Sequence, residues 1–351
     1  MDNKIKVIIV EDSIVKRELL SHILNSDPDI EVVATASDGE SAIKYILKKK
    51  PDIVTMDINM PGMNGFEATK LILQKCPTPI VIISSIRTDK NKGKVAKAMM
   101  ECGALQFLDT PPGPWHPGFD AASKNIVRSV KLMSQIKVFT RRGISPIVTK
   151  LHKTFKSPAL PERAIVAIGA STGGPPVIKE ILNGLPADFN LPIVIVQHIS
   201  SGFDSLFAHS LDAACGLKVK LAQDRELVEP STVYIAPAGC NLKIDNSYRF
   251  ILLSVPDGYK KITPSIDCFF NSVSNVYSQF SIGILLTGMG DDGARELKNM
   301  KDQGAVTIIQ DEASSVVYGM PREAKARNAQ KFIMSSKEII KFLLDVNSKV
   351  K

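Results

Sequence analysis

Cysteine is sparse in this chain and sits where neither zinc nor a disulfide framework would need it. Cys76, Cys102, Cys215, Cys240 and Cys268 form no C-x-x-C pair and no metal-type spacing with the five histidines, which fits a reducing compartment. Long apolar runs are missing as well. No stretch approaches the about 20 residues of a membrane-spanning helix, and the opening MDNKIKVIIVEDS lacks the apolar core and small-residue cleavage site of a signal peptide. A cytoplasmic location without membrane insertion is expected. The lack of a helix-turn-helix or aromatic-interleaved basic pattern argues against nucleic acid as a partner.

Excess charge is absent from both ends of the chain. Residues 1–120 carry 15 basic and 16 acidic side chains, and residues 164–351 carry 19 of each. The net charge of +8 therefore arises in residues 121–163, with 10 basic and 1 acidic. Two readings of that segment are open, a solvated basic linker and a surface that steers the chain to an acidic protein partner.

What is present suits two α/β domains, since 351 residues is long for one core. Short β-branched runs read as strands at Lys6–Val10, Ile30–Ala36, Ile53–Met56, Pro79–Ile83 and Leu105–Leu108, with helical patterns between them. The first run ends at Glu11-Asp12 and the third at Asp57. In an open parallel sheet ligands collect at the carboxyl ends of the strands, so these three carboxylates are expected to share one acidic pocket. Their mutual repulsion calls for a cation, and oxygen ligands suit Mg²⁺.

Five such repeats describe a flavodoxin-like sheet, and residues 4–138 resemble a response-regulator receiver domain. The resemblance implies that Asp57 accepts a phosphoryl group, that Glu11 and Asp12 help hold Mg²⁺, that Ser84 is the switch hydroxyl and that Phe107 is the switch aromatic. One position departs from the pattern. Receivers place a lysine before the proline after the fifth strand, and Thr110 stands there in Phe107-Leu108-Asp109-Thr110-Pro111. The run PPGPWHPG (111–118) ends the first sheet, Ile126, Val127, Val130, Met133 and Ile136 mark a last helix, and residues 139–162 read as the linker.

The second domain, residues 163–351, opens on IVAIGASTGGPP (Ile165–Pro176), a buried strand, a tight turn and a helix start marked by two prolines. That geometry is expected to expose the Ser171 hydroxyl, with the Gly173 and Gly174 backbone N–H groups near the helix start. A strand-to-helix connection or a phosphate-binding turn is equally open on the hexapeptide alone. PIVIV (192–196) leads to Gln197-His198, and IGILL (282–286) to the loop TGMGDDG (287–293). A helix over Pro264–Tyr277 and a hairpin around Asn246-Ser247 are expected between them. Strand ends thus supply Ser171, His198 and Asp291 or Asp292. An imidazole can take a hydroxyl's proton, and a carboxylate can fix the imidazole tautomer. Asp292 as a plain cap of the following helix is the bland alternative. The order Ser, His, Asp differs from that of α/β-hydrolases, and Ser171 breaks a dinucleotide fingerprint.

AIGASTGG (167–174), VQH (196–198), YIAP (234–237), TGMGDDG and DEASSVVYGMPREA (311–324) together resemble the CheB family of chemotaxis protein-glutamate methylesterases. The resemblance implies a flavodoxin-like receiver before a doubly wound, Rossmann-like methylesterase domain. It places the catalytic serine, histidine and aspartate at Ser171, His198 and Asp292. It also implies hydrolysis of glutamate methyl esters on chemoreceptors, deamidation of receptor glutamines, a chemotaxis histidine kinase as phosphodonor, and no cofactor for hydrolysis. The competing expectation is a receiver-controlled binding module without catalysis.

Overall fold

Unbroken β-branched runs such as VIIV and IVAI are stable as strands when both sheet faces are covered, the arrangement that parallel sheets with flanking helices provide. A computed structural model describes residues 4–85, 103–135, 164–199, 204–255 and 263–350, and the chain divides into two compact units.

In the first unit β1 (Ile5–Val10), β2 (Ile30–Ala36), β3 (Ile53–Met56), β4 (Ile80–Ile83) and β5 (Gln106–Leu108) form one parallel sheet in the order β2-β1-β3-β4-β5. Val7 to Val10 of β1 and all of β3 and β4 are buried. Each fully buried Val or Ile contributes about 1.5–3 kcal/mol of transfer free energy. The helices start where a side chain can accept from the first-turn amides: Ser13 before α1 (Ile14–Asn25), Asp38 before α2 (Gly39–Lys49) and Asn64 before α3 (Gly65–Lys75). Helix α4 (Phe119–Met133) begins seven residues ahead of its apolar stripe, after the turn containing Trp115, which is 98% exposed. Ile136, the linker and its basic residues lie outside the described residues.

The second unit holds a seven-stranded parallel sheet in the order β14-β13-β12-β6-β7-β9-β8. The chain enters at the central strand β6 (Ile165–Ala170) and runs through α5 (Gly174–Asn183) to β7 (Ile193–Gln197). After α6 (Asp204–Asp212) it fills that side with β8 (Lys218–Leu221) and β9 (Thr232–Ile235). It then returns to the other side of β6 as β12 (Ser281–Leu285), followed by β13 (Val306–Gln310) and β14 (Phe332–Met334). The winding reverses between β6 and β12, which makes their carboxyl ends the natural crevice for a ligand.

Before that return, the hairpin β10 (Cys240–Ile244) and β11 (Phe250–Ser254) lays Leu242, Ile244 and Phe250 into a core shared with Phe269 and Phe270 of α7 (Ile266–Tyr277). Hydrogen bonds from Ser265 N to Asn241 Oδ1 (2.9 Å) and from Ile244 N to Ser272 Oγ (3.1 Å) fix the start and the middle of α7 against β10. The α7 helix begins two residues later than its apolar pattern predicts, because Ser265 is its cap. The expected hairpin turn at Asn246-Ser247 is a five-residue connection organised by Asp245 Oδ1, which accepts from Ser247 N and Arg249 N. Helices α8 (Ala294–Asp302), α9 (Met320–Ala326) and α10 (Ser336–Asn347) complete the unit, the last behind a Ser335/Glu338 capping box.

Candidate active site and acidic pocket

Ser171 follows the last residue of β6. Its N–H donates to Thr287 O (3.1 Å), and its carbonyl accepts from Gly174 N (2.9 Å), closing the turn that launches α5. Gly173 has a φ of +77°, and a Cβ there would run into Val316 Cβ; both conditions restrict the position to glycine. Pro175 and Pro176 fall in the first turn of α5, where a missing N–H leaves no helical bond unmade. The serine is half-buried rather than freely exposed, and its Oγ makes no hydrogen bond among the described residues. The Gly174 N–H expected to face a ligand is instead spent on the turn, and the Gly288 N–H is spent on Val317 O (3.0 Å).

His198 follows the last residue of β7. Ala170 pairs with Gln197, and His198 N donates to Ala170 O (3.0 Å), so the β6–β7 ladder runs to the edge of the site. Gln197, 3% exposed, spans the two loops with its Nε2, which donates to Ser171 O (2.9 Å) and His198 O (3.0 Å). His198 Nε2 lies 2.8 Å from Asp292 Oδ2, with only 10% and 14% of the two side chains exposed. That contact leaves Nδ1 as the ring nitrogen that can act on a proton.

Asp292 accepts four hydrogen bonds: His198, Ser265 Oγ (3.1 Å), Ile266 N (2.8 Å) and Asp267 N (2.9 Å). Burial alone would raise its pKa, but the bond and charge of His198 and the amides of α7 outweigh it and hold the carboxyl below its ordinary value. Asp292 therefore caps α7, the preceding helix, and not α8. Its neighbour Asp291 is 74% exposed and faces Arg327 at 3.7 Å. Ser265, Asp267, Gln197 and Thr287 were not singled out by the sequence. Thr287 is fully buried and binds both neighbouring loops, donating through Oγ1 toward Thr172 O (3.0 Å) and accepting from Val317 N (2.8 Å). A serine before a helical pattern was the available signal for Ser265; a buried threonine at a strand end gives none.

In the first unit Glu11, Asp12 and Asp57 offer carboxylate oxygens that all lie within 4.8 Å of one another. Glu11 and Asp57 are 1% and 2% exposed. Burial first, and then the charge of Asp57, push the Glu11 carboxyl up to about 7 despite Lys16 Nζ at 3.5 Å. A hard divalent cation such as Mg²⁺ matches this all-oxygen, charge-crowded donor set. Ser84 closes β4 with a buried Oγ that has no hydrogen-bond partner among the described residues, and Thr110 Oγ1 is in the same condition two residues past β5. The Phe107 ring of β5 lies 6.4 Å from that of Phe66.

Residues 166–343 match the family model for the CheB methylesterase, and residues 7–114 that for the response regulator receiver domain. The chain is 41% identical to protein-glutamate methylesterase/protein-glutamine glutaminase 1 of Syntrophus aciditrophicus, covering 99% of both chains. This chain belongs to the CheB methylesterase family. A relative of the same name from Nitrosospira multiformis is 43% identical over 95% of each chain. The Thermotoga maritima CheB methylesterase catalytic domain is 35% identical over 52% of this chain and 98% of that one, with a TM-score of 0.49. The two family models make the first unit a receiver domain and the second a CheB catalytic domain, and both have the expected α/β architecture. Among the described residues no helix is long and apolar enough to cross a membrane.

Proposed function

We propose that the chain is a phosphorylation-regulated hydrolase of glutamate methyl esters on chemoreceptors, with glutamine deamidation as its second activity. The observation that carries this reading is the His198–Asp292 pair at 2.8 Å, with His198 and Ser171 each one residue beyond the Ala170–Gln197 pair of the β6–β7 ladder. Ser171 Oγ attacks the ester carbonyl while His198 Nδ1 takes its proton, and Asp292 stabilises the imidazolium through Nε2–H. Collapse breaks the acyl–oxygen bond, the Nδ1 proton goes to the leaving methoxide, and methanol departs from a Ser171 acyl ester. Water, deprotonated by the same nitrogen, attacks that ester and returns Ser171–OH with a free glutamate carboxylate. With a glutamine side chain the leaving group is ammonia and the remaining steps are unchanged.

In the receiver, Asp57 accepts the phosphoryl group from a chemotaxis histidine kinase, with Glu11 and Asp12 beside it as further carboxylate ligands. Mg²⁺, when bound there, neutralises the charge that the transfer brings in. The Ser84 hydroxyl would donate a hydrogen bond to a phosphoryl oxygen, and Phe107 would report it. The proposed boundaries are 1–138 for the receiver, 139–162 for the linker and 163–351 for the hydrolase, in a cytoplasmic protein. The test is methanol release from methylated receptor membranes, with and without a small phosphodonor. Release that rises with the phosphodonor is expected; receptor binding without methanol in either condition would leave the non-catalytic binding module as the better reading.

A further inference from the structure

Helices α7 and α8 begin side by side, and each takes a cap from the other. Asp292, just before α8, accepts from Ile266 N and Asp267 N in the first turn of α7. Asp267, in that same turn, accepts through Oδ1 from Gly293 N (3.0 Å) and Glu296 N (3.4 Å) at the start of α8. Its Oδ2 lies 3.4 Å from Arg295 Nη2. Carboxylates at helix N-termini are favoured by the aligned amide dipoles, but a cap on its own helix leaves the neighbour unconstrained. Here the exchange closes a loop of bonds: Asp292 Oδ1, Asp267 N–H, Asp267 Oδ1 and Gly293 N–H. Asp267, which closes it, is joined through its backbone N–H to Asp292, the carboxylate that touches His198. Gly293 adds to the constraint, because it has a φ of +87° and a Cβ there would meet Ile266 Cγ2 at 2.5 Å.

We propose that Asp267 is a positioning residue for the Ser171–His198–Asp292 triad, acting through Asp292 by locking the Asp292–Gly293 corner. The inference rests on the triad read above. The charged groups that bear on Asp267 are Asp292, Arg295 and, through Arg295, Glu296 and Asp291; Lys243 of β10 acts on the adjacent Cys268. A loosened corner lets Asp292 swing off Nε2, so the imidazolium loses its partner and His198 gives up its proton at lower pH.

The experiment is methanol-release kinetics of the full chain across pH for Asp267→Ala, Asp267→Asn, Asp292→Asn and the double variant Asp267→Ala/Asp292→Asn. Asp267→Ala is expected to lower kcat by about 10–100-fold with KM within about 2-fold, and to move the acid limb to lower pH. Asp267→Asn keeps an acceptor for the Gly293 and Glu296 amides and is expected to recover kcat to within about 3-fold. In the Asp292→Asn background, Asp267→Ala should change kcat by less than about 2-fold, because its only route to the chemistry is already gone. Should Asp267→Ala fail to fold by circular dichroism, Asp267→Leu, of similar shape and without an acceptor, takes its place with the same expectations. Wild-type kcat and acid limb in the single variant would overturn the proposal, as would an equal loss in both backgrounds. Wild-type activity of Asp292→Asn would instead sink the triad reading itself.

Discussion

Glu11 and Asp57 are buried side by side with Asp12 at one set of parallel-strand ends; Asp292 occupies the corresponding place in the other unit with four donors around it. The first arrangement raises a carboxyl to about 7, whereas the second holds one below its ordinary value. Ser84 and Thr110, near the ends of receiver strands, have no hydrogen-bond partner among the described residues, while Thr287, near a strand end of the hydrolase, both donates and accepts. Carboxylates crowded against one another, with few donors between them, make a site that waits for charge from outside. A carboxylate compensated in advance makes a site whose polarity is set before any substrate arrives.

The contrast is broken most severely at the proposed nucleophile. Ser171→Ala should lower kcat for methanol release by about 10⁴–10⁶, with unchanged thermal stability and undiminished phosphate uptake at Asp57. The adjacent acids of the TGMGDDG loop sharpen it next. Asp292→Asn should cost about 10²–10⁴ in kcat/KM, since the amide presents the wrong partner to Nε2. Asp291→Asn, exposed beside Arg327, should stay within about 3-fold of wild type. The reverse ranking would show the acid has been misassigned.

Thr110 tests the receiver side. No ammonium stands there to read the phosphoryl group, so Thr110→Lys should increase the activation by a small phosphodonor by about 2–10-fold and leave the basal rate alone. Asp57→Asn should abolish the response in either background, and a wild-type response equal to that of Thr110→Lys would show threonine suffices.

The smallest effect concerns pH. Glu11 keeps in the folded state, up to about 7, a proton that the unfolded chain releases near 4.5. Between those values the folded state binds more protons, so receiver stability falls as pH rises through the window. Mg²⁺ favours the ionised carboxylate and should raise the receiver's melting temperature in calorimetry by a few degrees more at pH 8 than at pH 5; an equal rise at both would separate Glu11 from the metal.

Much of this was legible because parallel strands announce themselves. Ile30–Ala36 and Ile53–Met56 match their strands residue for residue, and a polar residue at the end of such a run marks the ligand edge of the sheet. That logic pointed to Glu11, Asp57, Ser171 and His198. It could not choose the amides: Gly174 looked available at the helix start, yet a turn must close on something, and it closes on Ser171 O. Nor could it find Asp267 or Gln197, which reach the backbone of Gly293 and Ser171, each 26 residues away in the chain. Hydrophobic periodicity records which face is buried, not which amide a side chain will meet.

The strand order has a consequence for how the enzyme is made. β6 ends at Ala170, but the neighbour that covers one of its edges, β12, begins only at Ser281. At about 5–20 residues per second a ribosome needs on the order of 5 to 20 s to deliver it. Throughout that interval a wholly apolar strand has an unpaired edge in the nascent chain, open to pairing with other chains. Slower translation between β9 and β12, or a chain truncated in that stretch, should therefore be felt as aggregation rather than as a less active enzyme.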